Sequence, residues 1–238
     1  MANILAIARR EFLASFSSPL AYAAIGVFLL FLAAFTLWLN DLFAAGVATM
    51  NGPFQWMALG LAFIAPAITM RSITEERRTG TFELLATFPV SSAEIIVGKW
   101  LAAFGVLIAA LLSTLPWPIA IAACGELDVG PVLAGYLGMG LFAAAAAAIG
   151  ICASSLTENA TVALLGSFGA CLTPWVLGWF LAAFPGAAVG FVQYLTFEYH
   201  FSNLARGTFD SRSLVFFVSV AFFALYGGVF ALERRRFA

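Results

Sequence analysis

The chain has 238 residues, of which 63% are hydrophobic and 10% charged, with a mean hydropathy of +1.01 and a net charge of −1. A soluble domain is typically about 45–50% apolar and about 25% charged, so this apolar excess exceeds what one core can bury and the surrounding solvent is lipid. One lysine, Lys99, and ten arginines offer no basic surface for a phosphate backbone, which excludes nucleic acid as a partner.

In chain order, the first predicted element lies within residues 1–18. Leu5, Ala8, Phe12 and Phe16 share one helical face while Arg9 and Arg10 turn away. This predicts a helix along the cytoplasmic membrane surface that ends near Pro19. Arg9, Arg10 and Glu11 precede an apolar run of full spanning length, unlike a cleavable signal peptide.

Six runs of spanning length follow, at about 20–39, 53–70, 97–123, 131–153, 160–182 and 213–232. A crossing needs roughly 20 apolar residues, and backbone groups in lipid must be satisfied internally, so these runs are helices. Arg9, Arg10, Arg71, Arg77, Arg78, Lys99, Arg234, Arg235 and Arg236 fall on one side, against Arg206 and Arg212 on the other. Positive charge concentrates on the cytoplasmic side, so both termini are expected there. Pro116 and Pro118 should kink the third span, and Pro174 the fifth. Ala144, Ala148 and Cys152 form one small-residue face, and Gly166 and Ala170 another, suited to close helix approach. Cys124, Cys152 and Cys171 form no CxxC pair and read as packing residues.

The insert at 71–98, between spans two and three, is rich in charge. Gly80 can cap a short helix with Glu83 at its third position, and Pro89 ends it. Phe82, Leu85, Ala86 and Pro89 line one side of that helix. Ser91 and Glu94 have the spacing of a capping box at the start of span three. The segment 183–212 is the other long connection. Tyr194, Phe197, Phe201 and Leu204 recur at helical intervals with Ser202, Asn203 and Arg206 largely opposite, which predicts a helix over about 190–206. Gly207 suits its stop, and Asp210 can cap span six.

With Lys99 counted between spans two and three, no ionisable residue is placed inside a span, which argues against a proton-driven transporter. The chain has no GxxxxGK[ST]: around Lys99, Ala93 stands at the first glycine position and Trp100 at the Ser/Thr position. It also lacks HExxH. Any uphill movement would draw its energy from another chain.

The string EERRTGTFELLATFPVSSAEIIVGKW, from Glu75 to Trp100, resembles the first cytoplasmic loop of ABC type-2 transporter permeases. It is most similar to the branch with the gliding-motility-associated permease and the nitrous oxide reductase maturation permease. YHFSNLARGTFDSRSLVFF, from Tyr199, resembles the segment before the family's last span, and IARREFLASFSSPLAY its opening helix. The resemblance implies a single all-α permease domain over 1–238, with six transmembrane helices and short interfacial helices. It also implies a coupling helix seated in a separate ABC ATPase subunit, which would bind the ATP and Mg. The chain itself would hold no cofactor, metal or catalytic residue. At matching positions, Glu75, Glu76, Arg77, Arg78, Gly80, Thr81, Glu83 and Leu84 would contact or position the ATPase. Ser155, Thr157 and Glu158, in the loop 154–159, would form a smaller second contact. A second permease copy or a related subunit would complete the path, and a folded periplasmic or membrane-anchored part would be another protein. Tyr199, His200, Phe201, Asn203 and Arg206 are the candidates for an extracytoplasmic gate or partner contact. The competing readings are an intramembrane lipid-modifying enzyme, with Glu198, His200 and Asp210 as its acid–base set, and a structural membrane subunit without an ATPase.

Overall fold

The computed structural model describes residues 2–39, 49–79, 91–181, 190, 192–207 and 210–236. Among these residues there is no strand, and six helical stretches are long and apolar enough to cross a membrane. The helices are α1 (Ala2–Ser17), α2 (Pro19–Leu39), α3 (Asn51–Thr69), α4 (Thr74–Arg78), α5 (Ser92–Leu112), α6 (Pro116–Cys124), α7 (Val129–Leu156), α8 (Ala160–Leu181), α9 (Phe197–Ala205) and α10 (Ser211–Arg236).

Helix α7 is the hub and packs against α3, α5, α8, α9 and α10. Lipid is as apolar as a leucine side chain, so close packing rather than burial from water must hold such a bundle. The α7 sequence supplies the means. Ala143 and Ala145 to Ala148 are fully buried, and their short side chains let neighbouring backbones approach. Gly150 goes further: a Cβ there would land on the Thr69 hydroxyl of α3, and a Cβ on Gly135 would land on the Phe54 ring. Gly227 and Gly228 of α10 pack on Cys152, which places the predicted small-residue face of α7 inside the bundle. Gly166 and Ala170 are exposed instead, and nothing lies within 4 Å of a Cβ at Gly166.

The proline prediction holds in span three. The helix breaks into α5 and α6 at a turn over 113–115, where Pro116 contributes no N–H. Tyr136 from α7 donates its hydroxyl hydrogen to the Thr114 carbonyl at 3.1 Å and lies 3.0 Å from the Thr114 hydroxyl, so the break leaves its polar groups bonded. The capping box is present as well: Glu94 N–H donates to Ser91 Oγ at 3.2 Å, and Ser91 N–H to Glu94 Oε2 at 3.0 Å.

Helix α1 forms as expected, and Ala8, Phe12 and Phe16 of the predicted face are half-buried. Leu5 is 67% exposed, while Ile7 packs on Gly98 and Phe12 on Gly105 of α5. Asn3 reaches Glu94, so contacts advance in the same direction on both helices. Helix α1 therefore runs alongside the first half of α5. It is docked on the bundle through Ile7, Glu11 and Phe12.

Candidate functional site

One end of the bundle gathers the C-terminal end of α3, all of α4, the start of α5 and the turn between α7 and α8. The two stretches that the resemblance assigned to a partner meet here. Arg71, Thr74, Glu75 and Arg78 face Glu158, Asn159, Ala160 and Thr161 across an open cavity of about 560 Å³. Each wall is shaped by a hydroxyl or amide group. Ser154, at the end of α7, accepts from the backbone N–H groups of Ile73 (3.0 Å) and Thr74 (3.3 Å) and donates to the Met70 carbonyl (3.3 Å). It thereby caps α4, whose first N–H groups have no partner within the helix. Asn159 Oδ1 accepts from Thr161 N–H at 2.9 Å and caps α8. Glu75 and Arg78 are exposed on the α4 wall. Ser155 is fully buried, with its hydroxyl donating to the Cys152 carbonyl, so its side chain faces into the bundle. Gly80, Thr81, Glu83 and Leu84, and the helix predicted to follow Gly80, lie outside the described residues.

A second, buried feature supports this end. Lys99 belongs to the spanning helix α5 rather than to the connecting insert, and its side chain is 1% exposed. This corrects the expectation that no span carries an ionisable group. Its Nζ donates to the Ser72 carbonyl and to Glu76 Oε1, both at 2.8 Å, and lies 3.4 Å from Glu11 Oε1. Arg10 Nη2 donates to the same Glu11 oxygen at 2.7 Å. Burial works to raise the Glu11 carboxyl, but Lys99 and Arg10 outweigh it and hold it below its ordinary range. Glu76, expected among the outward contacts, thus spends one carboxylate oxygen on an inward ion pair. Three elements, α1, α4 and α5, converge on one ammonium group. Sequence reasoning missed Ser154, Ser72, Glu11 and Lys99 as a set. The available signal was a lone lysine in a spanning run.

At the opposite end, α9 is shorter than predicted. Thr196 is extended (φ −90°, ψ 139°) and separates Phe197–Ala205 from a turn at 194–195. Phe197, Phe201 and Leu204 are buried against α7, α8 and α10, while Tyr194 is 45% exposed and leaves the predicted face. Gly207 has φ +82°, as its predicted stopping role requires. Asp210 Oδ1 accepts from Arg212 N–H at 3.0 Å, the predicted cap of α10. Tyr199 and Asn203 are half-buried, and Arg206 is exposed at the rim.

His200 is 3% exposed, and its ring stacks on Phe216 with centroids 4.1 Å apart. Nε2 lies 2.9 Å from the Tyr194 carbonyl and Nδ1 lies 3.2 Å from Ser213 Oγ. A neutral ring that donates from Nε2 and accepts at Nδ1 satisfies both contacts. With both nitrogens engaged, His200 is placed as a brace between α9 and α10, and the acid–base set of the enzyme reading gains no support. Burial lowers its pKa below the ordinary 6.5, despite opposing contributions from Tyr194 and Asp210. Below pH 6.5 the unfolded chain therefore binds a proton that the folded chain still excludes, and stability falls with acidification. The thermal midpoint of the wild type should be flat above about pH 6.5 and drop towards pH 5, with a shallower drop for His200→Gln. Parallel profiles for the two proteins would show that His200 is not the responsible group.

A helical bundle with six candidate spans among the described residues is the architecture of a multi-pass membrane protein. Residues 5–203 match the model of the family described as ABC-2 family transporter protein. The chain belongs to that family and is a transmembrane permease component of an ABC transporter. Such membership implies an ABC ATPase partner. No curated protein matches the chain.

Proposed function

We propose that the chain transmits the nucleotide-driven motion of a separate ABC ATPase through the bundle, to drive export or to move a partner on the far side. The supporting observation is the 560 Å³ cavity, in which Arg71, Glu75 and Arg78 on one wall oppose Glu158 and Asn159 on the other. A protruding element of the ATPase would seat there. In this reading the α4 end and both termini are cytoplasmic, the membrane is the bacterial inner membrane, and residues 71–98 are the coupling insert. ATP and Mg stay on the ATPase, where the hydrolytic chemistry occurs. This chain's own task is to convert rigid-body movement of α4 into movement of α3 and α5.

A second copy or a related permease subunit would complete the path. Only 22%, 22% and 17% of the spanning windows of α2, α8 and α10 are buried within the chain, against 56–61% for the other three, which leaves apolar helix faces for lipid and for such a subunit. In this reading, which takes the resemblance of residues 75–100 to the gliding-motility and nitrous oxide reductase maturation branch as its support, the far-side partner is an accessory periplasmic or membrane-anchored protein.

Co-expression with a candidate ABC ATPase provides the test. Arg78 is exposed on the cavity wall, so Arg78→Glu should cut recovery of the ATPase complex about tenfold or more, the range for a lost interfacial charge contact, and leave membrane insertion unchanged. Arg9→Glu, at an exposed position on α1, should leave recovery intact. Equal recovery and equal ATP turnover for wild type and Arg78→Glu would remove the docking assignment.

A further inference from the structure

Opposite the α4 end, a cavity of about 130 Å³ opens between α3, α8 and α9. Glu198 and Arg206 both line it. They stand eight residues apart, roughly 12 Å along a helical path, and close no ion pair with each other. Asn51 and Gln55 contribute amide groups from α3. Trp175 lines the same cavity; it is 1% exposed, and its indole Nε1 has no hydrogen-bond partner among the described residues. A buried N–H left without an acceptor costs about 1–3 kcal/mol, so an acceptor brought by a ligand would remove a standing penalty.

The position of Glu198 is built into the backbone of α8. A Cβ on Gly178 would meet Glu198 Oε2 at 2.9 Å and Glu198 Cβ at 3.0 Å. A side chain at 178 would press on this carboxylate, which lies against α8 one turn from Trp175. An acid and a base around one small cavity, lined also by a tryptophan whose N–H lacks an acceptor, match a ligand that carries both an ammonium and an anion. The same stretch of α8 exposes Leu177 and Phe180, at 42% and 63%, which gives acyl chains an apolar surface beside the polar cavity.

We infer that this cavity binds the phosphoethanolamine group of an aminophospholipid, with the ammonium at Glu198 and the phosphate between Arg206 and the Trp175 indole N–H. A primary ammonium offers three hydrogen-bond donors to the carboxylate, whereas a choline headgroup offers none. A phosphatidylglycerol headgroup lacks the cation altogether. The site is independent of ATPase docking, and its test needs no ATPase.

The purified protein in detergent, incubated with equal amounts of dioleoyl phosphatidylethanolamine, phosphatidylcholine and phosphatidylglycerol, would be examined by native mass spectrometry. Phosphatidylethanolamine should be retained about tenfold over the other two, the scale of one charge-assisted hydrogen bond. Glu198→Gln should erase that preference. Arg206→Gln should weaken retention of phosphatidylethanolamine, and Trp175→Phe, which keeps a ring but removes the N–H, should weaken it less. Arg206 is exposed, so Arg206→Gln keeps the idea open to refutation if Glu198→Gln does not fold. Displacement of the lipid by millimolar O-phosphoethanolamine would confirm the headgroup chemistry. Binding of that compound without any lipid preference would mark a soluble ligand as its source and overturn the lipid assignment. Equal retention of the three lipids with no effect of O-phosphoethanolamine, or a preference that survives Glu198→Gln and Arg206→Gln, would overturn the site.

Discussion

Replacing Lys99 with methionine is expected to loosen the whole α4 end and lower stability by about 3 kcal/mol, the scale for removing one partner of a buried ion pair. The cost comes from what remains. The side chains of Glu11 and Glu76 are only 24% and 18% exposed, and without the ammonium both carboxylates would stay half-buried. Glu11 would keep Arg10, while Glu76 would lose the 2.8 Å ion pair that ties α4 to α5. The Ser72 carbonyl would also lose its donor. Methionine preserves the length and the apolar stem, so lost packing contributes little. Thermal unfolding in detergent and protease sensitivity of α1 would both report the change. If trapped charge is the cause, adding Glu11→Gln and Glu76→Gln to the variant should recover much of the loss, because neutral groups tolerate burial better. A Lys99→Met protein with wild-type melting and an intact α1 would show that the cluster holds nothing together. Acid should act on the same cluster. The Glu11 pKa is depressed on folding, so its contribution is present above the ordinary value of 4.5 and lost as pH falls below it.

The spans were legible because lipid imposes so strong a constraint: length and composition alone place six helices. Local chemistry was legible too. Ser91 and Glu94, Asp210, Gly207 and the Pro116 break act within a few residues of themselves, where no distant neighbour intervenes. Helix α1 shows where such reading stops. A helical wheel favours Leu5, Ala8, Phe12 and Phe16, but α5 presents bare backbone at Gly98 and Gly105, which receives Ile7 and Phe12 and leaves Leu5 outside. That selection depends on the surface of the partner helix. Glu11 lies off the favoured face of α1 in the sequence, yet it is the group that meets Lys99. Ser154 was hidden for the same reason: its hydroxyl has meaning only once the α3–α4 turn is beside it.

Phe201→Glu is expected to disrupt the end of the bundle that holds α9, and to do so more than any exposed substitution on the same segment. Phe201 is 3% exposed, with its ring centroid 6.2 Å from that of Phe54 and 5.7 Å from that of Trp175. Helix α9 reaches this depth because Gly138 of α7 leaves room: a Cβ there would meet Leu204 at 3.2 Å and Phe201 at 3.4 Å. A carboxylate at position 201 would lose hydration among aromatic rings, and an unpaired buried charge costs several kcal/mol or is forced to take up a proton. Loss of the ring would also open a void, since the neighbouring rings of Phe54 and Trp175 belong to two different helices and cannot both move inward freely. Phe201→Leu isolates this packing part and should cost about 1–2 kcal/mol. Tyr194→Glu is the matched control. Tyr194 is 45% exposed, and a surface change of that kind usually stays within about 0.5 kcal/mol. Thermal unfolding and the monodisperse yield after detergent extraction would rank the three variants, with Phe201→Glu lowest, Phe201→Leu intermediate and Tyr194→Glu near wild type. If Phe201→Glu and Tyr194→Glu behave alike, α9 is not packed into the bundle, and the 130 Å³ cavity that it lines loses its wall.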